Sequence, residues 1–204
     1  MRKVLFIVIS FLGQLPSQND TRYYGGVEID GLVWAEVNCG YHPVDYPYGK
    51  IYQWGRSEGV GYGSESDEGV FYVINEYPYD WDSSDEGVVW NADKDPCPDE
   101  WRLPTSEELT SLMANYSDFQ LYKGQRGRWF YGSERGDLSE AIFLPAAGAR
   151  YYDGFPLNRT WYGNYWASDT CNKCGIHLNF MSGNVEMARD YKTMGFSVRC
   201  VRKK

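Results

Sequence analysis

Cys171-Asn172-Lys173-Cys174, with His177 three residues on, is the densest set of soft metal-ligand types in the chain. Two thiolates and an imidazole suit zinc, but a structural zinc site needs a closed shell of four ligands, and no second pair stands at ligand spacing. The segment therefore reads as an exposed loop holding two cysteines, by chance or as a local disulfide. Tyr79-Asp80-Trp81-Asp82, with Asp85 and Glu86, offers carboxylates for calcium without the ordered acid spacing of an EF-hand, and reads as a solvated acidic loop. His42 and His177 are the only imidazoles; neither sits in a triad or nucleophile-elbow context, and there is no P-loop or dinucleotide fingerprint. These residues support no cofactor, no resident metal and no catalytic centre. His42, in an aromatic loop, reads as a hydrogen-bonded structural residue.

A different chemistry is carried by Tyr151, Tyr152, Phe155, Trp161 and Tyr162, in a segment punctuated by Gly and Asn. Tyr and Trp give large contact area at low entropy cost, which is why binding surfaces use them. From Tyr165 to the end the chain has two textures. Tyr165, Trp166, Leu178, Phe180, Val185, Phe196, Val198 and Val201 read as β-scaffold. Leu178 and Phe180 flank Asn179, and Phe196, Val198 and Cys200 alternate around Ser197 and Arg199, the period of strands with one buried face. Met181-Ser182-Gly183-Asn184 supplies hairpin-turn chemistry. Asp169, Asn172, Lys173, His177, Met181, Glu186, Met187, Arg189, Asp190 and Lys192 are chemically miscellaneous. No single reaction needs that mixture. It reads as a rigid frame displaying side chains to solvent. With Tyr151, Tyr152, Asn158, Trp161 and Tyr162 they form the expected ligand-binding surface.

Upstream, Gly31 to Val37 predicts a strand, Cys39 to Gly49 an ordered loop, Ile51 to Trp54 another extended piece and Gly55 to Gly69 a long surface loop. One helix is predicted from Thr105. Thr105 and Glu108 form a capping box, Pro104 keeps the preceding chain extended, and Leu109, Leu112 and Met113 make the apolar stripe, with an end near Asn115. Arg126 to Gly136 is polar and Gly-rich; Ala141 to Gly148 reads as a buried strand and turn.

Gly163-Asn164-Tyr165-Trp166-Ala167-Ser168, then Leu178-Asn179-Phe180 with Ser182-Gly183-Asn184-Val185, then Gly195-Phe196-Ser197-Val198-Arg199-Cys200-Val201, resembles the C-terminus of the Fibrobacter succinogenes major paralogous domain family. Cys97-Pro98-Asp99-Glu100-Trp101-Arg102-Leu103-Pro104-Thr105 and Tyr48-Gly49-Lys50-Ile51-Tyr52-Gln53-Trp54-Gly55-Arg56 are similar to the same family, so the likeness runs from Gly31 to Val201. It implies an α+β, C-type-lectin-like fold of mixed short strands, one or two helices and long ordered loops. The ending also resembles the variable region of proteins diversified by retroelements in gut Bacteroidales and their phages. That likeness implies a surface-recognition protein, not an enzyme, whose partner is a protein or glycan on another cell. Adenine-directed mutagenesis would then vary the miscellaneous positions between Tyr151 and Met194. The family likeness places Cys97 and Cys200 close together, as a disulfide if the chain is exported and as buried thiols if it is assembled in a cytoplasm. The Glu-Pro-Asn and Trp-Asn-Asp signatures of calcium-dependent lectins are absent. Two rivals stand beside this reading: an undiversified secreted adhesin, and an oxidase that resembles the formylglycine-generating enzymes and uses Cys171 and Cys174.

Length and composition agree with one domain. The 204 residues carry 17% aromatics, with 18 Tyr, 8 Trp and 22 Gly, which favours a loop-rich β or α+β fold. Twenty basic against 28 acidic side chains give −8, the wrong sign for a phosphate backbone, so nucleic acid is not an expected partner. Met1-Arg2-Lys3 precedes the apolar run Val4 to Leu12, too short to span a bilayer. Residues 1–18 read as a signal peptide or N-terminal extension, with an apolar strand or a misplaced start codon as alternatives, and 19–204 as the domain. Use of the signal implies an extracellular or cell-surface protein; otherwise the retroelement likeness implies a phage tail. Five cysteines cannot all pair internally.

Overall fold

The computed structural model describes residues 21–62, 90–133, 138–171 and 174–203. The signal-peptide reading, the acidic run from Tyr79 to Glu86, and Asn172 and Lys173 lie outside the described residues. In chain order the strands are β1 Val27–Ile29, β2 Leu32–Trp34, β3 Ile51–Gln53, β4 Gly59–Val60, β5 Trp101–Arg102, β6 Gln120–Tyr122, β7 Gln125–Phe130, β8 Ile142–Pro145, β9 Ala149–Arg150, β10 Pro156–Leu157, β11 Gly163–Thr170, β12 Cys174–Phe180, β13 Val185–Tyr191, β14 Gly195–Phe196 and β15 Val201–Arg202. One α-helix, α1 Ser106–Leu112, falls between β5 and β6. The fold is mainly β, in antiparallel sheets, with an α+β character from α1.

The capping box starts α1 as the sequence predicts. Thr105 Oγ1 accepts from the Glu108 backbone N–H, and Glu108 Oε2 accepts from the Thr105 N–H at 2.8 Å. Arg102 adds a bidentate ion pair to Glu108, at 2.8 and 2.6 Å. The helix stops at Leu112, short of the expected Asn115. Asn115 is drawn away: its carbonyl accepts from Tyr131 N–H and its amide donates to Gly132 and Ser133 carbonyls. Thr105→Ala should lower stability by about 1 kcal/mol in a urea titration, and no measurable change would mean the cap is idle.

One other expectation is corrected. Gly59–Val60, inside the predicted surface loop, is buried and pairs with β3. The polar, Gly-rich stretch after Arg126 contains most of β7, which pairs β6 and β8. The β6–β7 turn is Lys123-Gly124, both at positive φ (47° and 79°), the conformation a two-residue hairpin requires.

The last strand of the chain pairs with one of the first described strands. β15 lies between β2 and β5, and Cys200 just before it is disulfide-bonded to Cys97, with Cα atoms 5.9 Å apart. Two clusters form the core. One gathers Trp54, Trp90, Trp101, Trp166 and Phe196; the other gathers Leu109, Phe130, Leu144, Tyr165, Leu178 and Phe180. Neighbours on β11 point to opposite faces. Tyr165 therefore enters the second cluster while Trp166 enters the first. The β11–β12–β13 sheet is consequently covered on both sides.

Candidate functional site

The hairpin frame follows from register. β12 pairs β11 on one side and β13 on the other, and Phe180 opposite Val185 closes the predicted turn, where Met181 N–H donates to Asn184 carbonyl. The scaffold positions are interior: Tyr165, Trp166, Leu178, Phe180, Phe196, Val198 and Val201 are all buried, and Val185 is half-buried. Gly175 must lack a side chain, because a Cβ there would stand 2.6 Å from the Trp166 ring and 2.7 Å from Trp54. Arg128 clamps the turn from β7, donating to Met181 and Ser182 carbonyls.

On this frame the candidate residues separate into groups. Tyr151, Asn158, Trp161, Glu186 and Arg189 are exposed, Trp161 at 60%. Tyr152, Tyr162 and Asp190 are half-buried. Tyr151 packs on Tyr152 with ring centroids 4.3 Å apart. Burial, then the neighbouring Tyr152 and Asp190, pushes the Tyr151 phenol up. Trp161 lies under the Arg126 guanidinium, at 5.2 Å from its ring centroid. Phe155, named in the aromatic segment but not among the candidate ligand contacts, is 65% exposed.

Other candidates do not face solvent as expected. His177 is 3% exposed, between the Trp166 and Phe196 rings. Lys192 is 5% exposed, its ammonium 4.2 Å from the Trp54 ring centroid. Both stand among the chemically miscellaneous positions expected to face solvent; packing against Trp54, Trp166 and Phe196 makes them interior. Met187 is half-buried against the second core cluster, and Met181 is half-buried with its backbone held in the turn. The Asp169 carboxylate accepts from Ser106 N–H at 2.5 Å, so it serves the start of α1. Arg199, read as the solvent side of an alternating strand, is 1% exposed.

Burial pushes the His177 imidazole down to about 4, and its Nδ1 has no hydrogen-bond partner. Unfolded histidine titrates near its ordinary 6.5. Between those values the unfolded chain holds a proton the folded chain lacks. The stability is complete above about pH 6.5 and is lost as pH falls toward 4, by up to about 1.4 kcal/mol per pH unit. Urea midpoints of His177→Gln should lose that component of the acid slope. An unchanged slope would assign acid sensitivity elsewhere.

Cys171 and Cys174 face each other at the bend between β11 and β12, with Cα atoms 5.1 Å apart, within reach of the local disulfide the sequence offers. Among the described residues, the only group of metal-ligand types converging within 4.8 Å is Cys39, Cys97 and Cys200. Two of these sulfurs share a disulfide, and burial pushes the Cys39 thiol up to about 11, an inert protonated state. His42 Nδ1 accepts from Asp45 N–H at 3.1 Å, which fits the hydrogen-bonded structural role expected of it.

The chain matches no protein-family model, no curated protein and no solved structure. Its site is therefore defined by its own geometry. That geometry provides an exposed aromatic loop, and an edge strand, β13, whose Glu186 and Arg189 are exposed beside the largely buried β11 and β12. No helix among the described residues is long and apolar enough to cross a membrane.

Proposed function

We propose that this chain is a surface-recognition protein: a C-type-lectin-like domain that presents a diversified C-terminal surface to a protein or glycan on another cell. One observation carries the reading. Tyr151, Phe155, Trp161, Glu186 and Arg189 project from a frame whose Trp166, Phe180 and Phe196 are fully buried. Such a frame tolerates exchange at its outward positions because their side chains contribute little to folding. The resemblance to retroelement-diversified proteins supplies the biological setting, as an exported or cell-surface protein or as part of a phage tail. Nucleic acid is not the partner proposed, because the −8 charge offers no basic stripe.

In this reading Tyr151, Trp161, Glu186 and Arg189, which are exposed, are the positions to vary, and His177, Met187 and Lys192 belong to the frame. In a combinatorial library at those four positions, scored separately for folding and for binding, most members should keep the parental melting temperature while ligand capture changes or disappears. A library whose members mostly fail to fold would make this stretch core and overturn the reading. A near-identical template repeat beside a reverse-transcriptase gene, differing at adenines, tests the diversification directly.

A further inference from the structure

We propose that Cys39 exchanges into the Cys97–Cys200 disulfide and moves a buried thiol out to Cys97, which becomes a latent site for small electrophiles. Cys39 keeps its thiol beside that disulfide. The three sulfurs all lie within 4.8 Å of one another. The fold explains why they meet. β15 runs between β2 and β5, and the segments adjoining these three strands bring one cysteine each. Ala35 N–H donates to Cys200 carbonyl and Cys39 N–H to Val198 carbonyl, both at 2.9 Å, so residues 35–39 lie along residues 198–200. Cys39 Sγ donates to the carbonyl of Pro96, the residue before Cys97, at 3.0 Å.

The step balances within the chain. Cys39 gives up its proton and its thiolate forms a bond to Cys200 Sγ. The electron pair of the Cys97–Cys200 bond leaves on Cys97 Sγ, which takes up a proton. No oxidant or reductant is consumed. Closing the new bond takes rotation of both side chains, because a disulfide holds its sulfurs about 2 Å apart.

Burial sets the direction. Cys39 and Cys200 have no exposed surface, whereas Cys97 is half-buried. A thiolate costs least where water reaches it, and the less basic sulfur leaves faster. Cys97 is therefore the leaving group and Cys200 the sulfur attacked. Burial also sets the rate, because it pushes the Cys39 thiol up and keeps it protonated at neutral pH. The Asp95 carboxylate, itself faced by Lys203 and Arg102, works the same way. The Tyr24 and Tyr52 hydroxyls and the Gly40 backbone favour the thiolate. The thiol is thus held in reserve at neutral pH and released as the solution becomes alkaline.

The experiment incubates the full chain with iodoacetamide at about pH 8.5, without denaturant or added thiol, then quenches with acid and maps cysteine pairs by mass spectrometry. Cys97 should become alkylated as a Cys39–Cys200 pair forms, and Cys39→Ala should abolish that alkylation. Cys97→Ser tests reach separately: oxidised glutathione should close Cys39–Cys200 in the folded variant rather than leave a glutathione adduct on either sulfur. If that variant does not fold, the parent chain decides alone. The proposal is overturned if the parent holds only Cys97–Cys200 after prolonged incubation, or if Cys39–Cys97 is the main new pair. Cys39 pairing with Cys171 or Cys174 as often as with Cys200 also overturns it, since that marks scrambling through the unfolded chain, as do glutathione adducts in place of the Cys39–Cys200 bond.

Discussion

Arg199→Ala should lower stability by about 4 kcal/mol or more, a large part of the reserve of an ordinary domain. Arg199 is 1% exposed, and burial pushes its guanidinium down to about 10, so it remains charged at neutral pH. Its five hydrogen bonds join the segment after β2, through Ala35, Glu36 and Asn38, to Phe143 on β8. Asn38 continues the network, donating to Tyr165 Oη at 3.1 Å, and Tyr165 donates to Pro145 carbonyl at 2.7 Å. Truncation leaves Asn38 Oδ1 and three backbone carbonyls without these donors in a buried place, and opens a cavity beside them. Arg199→Lys should recover only part of the loss, because a lysine ammonium has three donors and no fork. Thermal melts followed by circular dichroism decide it. A melting temperature within a few degrees of the parent would mean that the network is dispensable.

Trp166→Ala should cost about 3–5 kcal/mol. The side chain has no exposed surface, packs on Phe196 with centroids 4.3 Å apart, and donates its indole N–H to Tyr52 carbonyl at 2.8 Å. Removal empties the middle of the first core cluster and frees the Tyr52 carbonyl. Trp161→Ala is the matched comparison: same residue types, five positions earlier, but 60% exposed, with an expected change within about 0.5 kcal/mol. Parallel urea titrations measure both. Equal effects would remove the distinction between frame and display on which the proposed function rests.

That distinction was largely readable from residue spacing. A period of two marks which side of a strand is apolar, so Leu178 and Phe180 on β12 could be assigned inward without a structure; the alternation from Phe196 to Cys200 misled, because β14 ends at Phe196 and Ser197 and Arg199 are buried as well. The capping box at Thr105 and the turn at Met181 to Asn184 are local devices, satisfied within a few residues, and both stand where expected. The proximity of Cys97 and Cys200 came from family likeness rather than from spacing, since a separation of 103 residues carries no local signal.

His177, Lys192 and Arg199 show where local pattern stops. Alternation tells which residues share a face, but not whether the other face is also covered. That cover is brought by residues distant in sequence: Trp54 for Lys192, Trp166 and Phe196 for His177, and Asn38 and Phe143 for Arg199. By itself, the sequence determined the Phe180–Val185 hairpin, the inward positions of β12 and the helix start, because each depends on neighbours within a few residues. Only tertiary packing decided which polar residues were interior, because burial is a property of what the rest of the chain lays over a face.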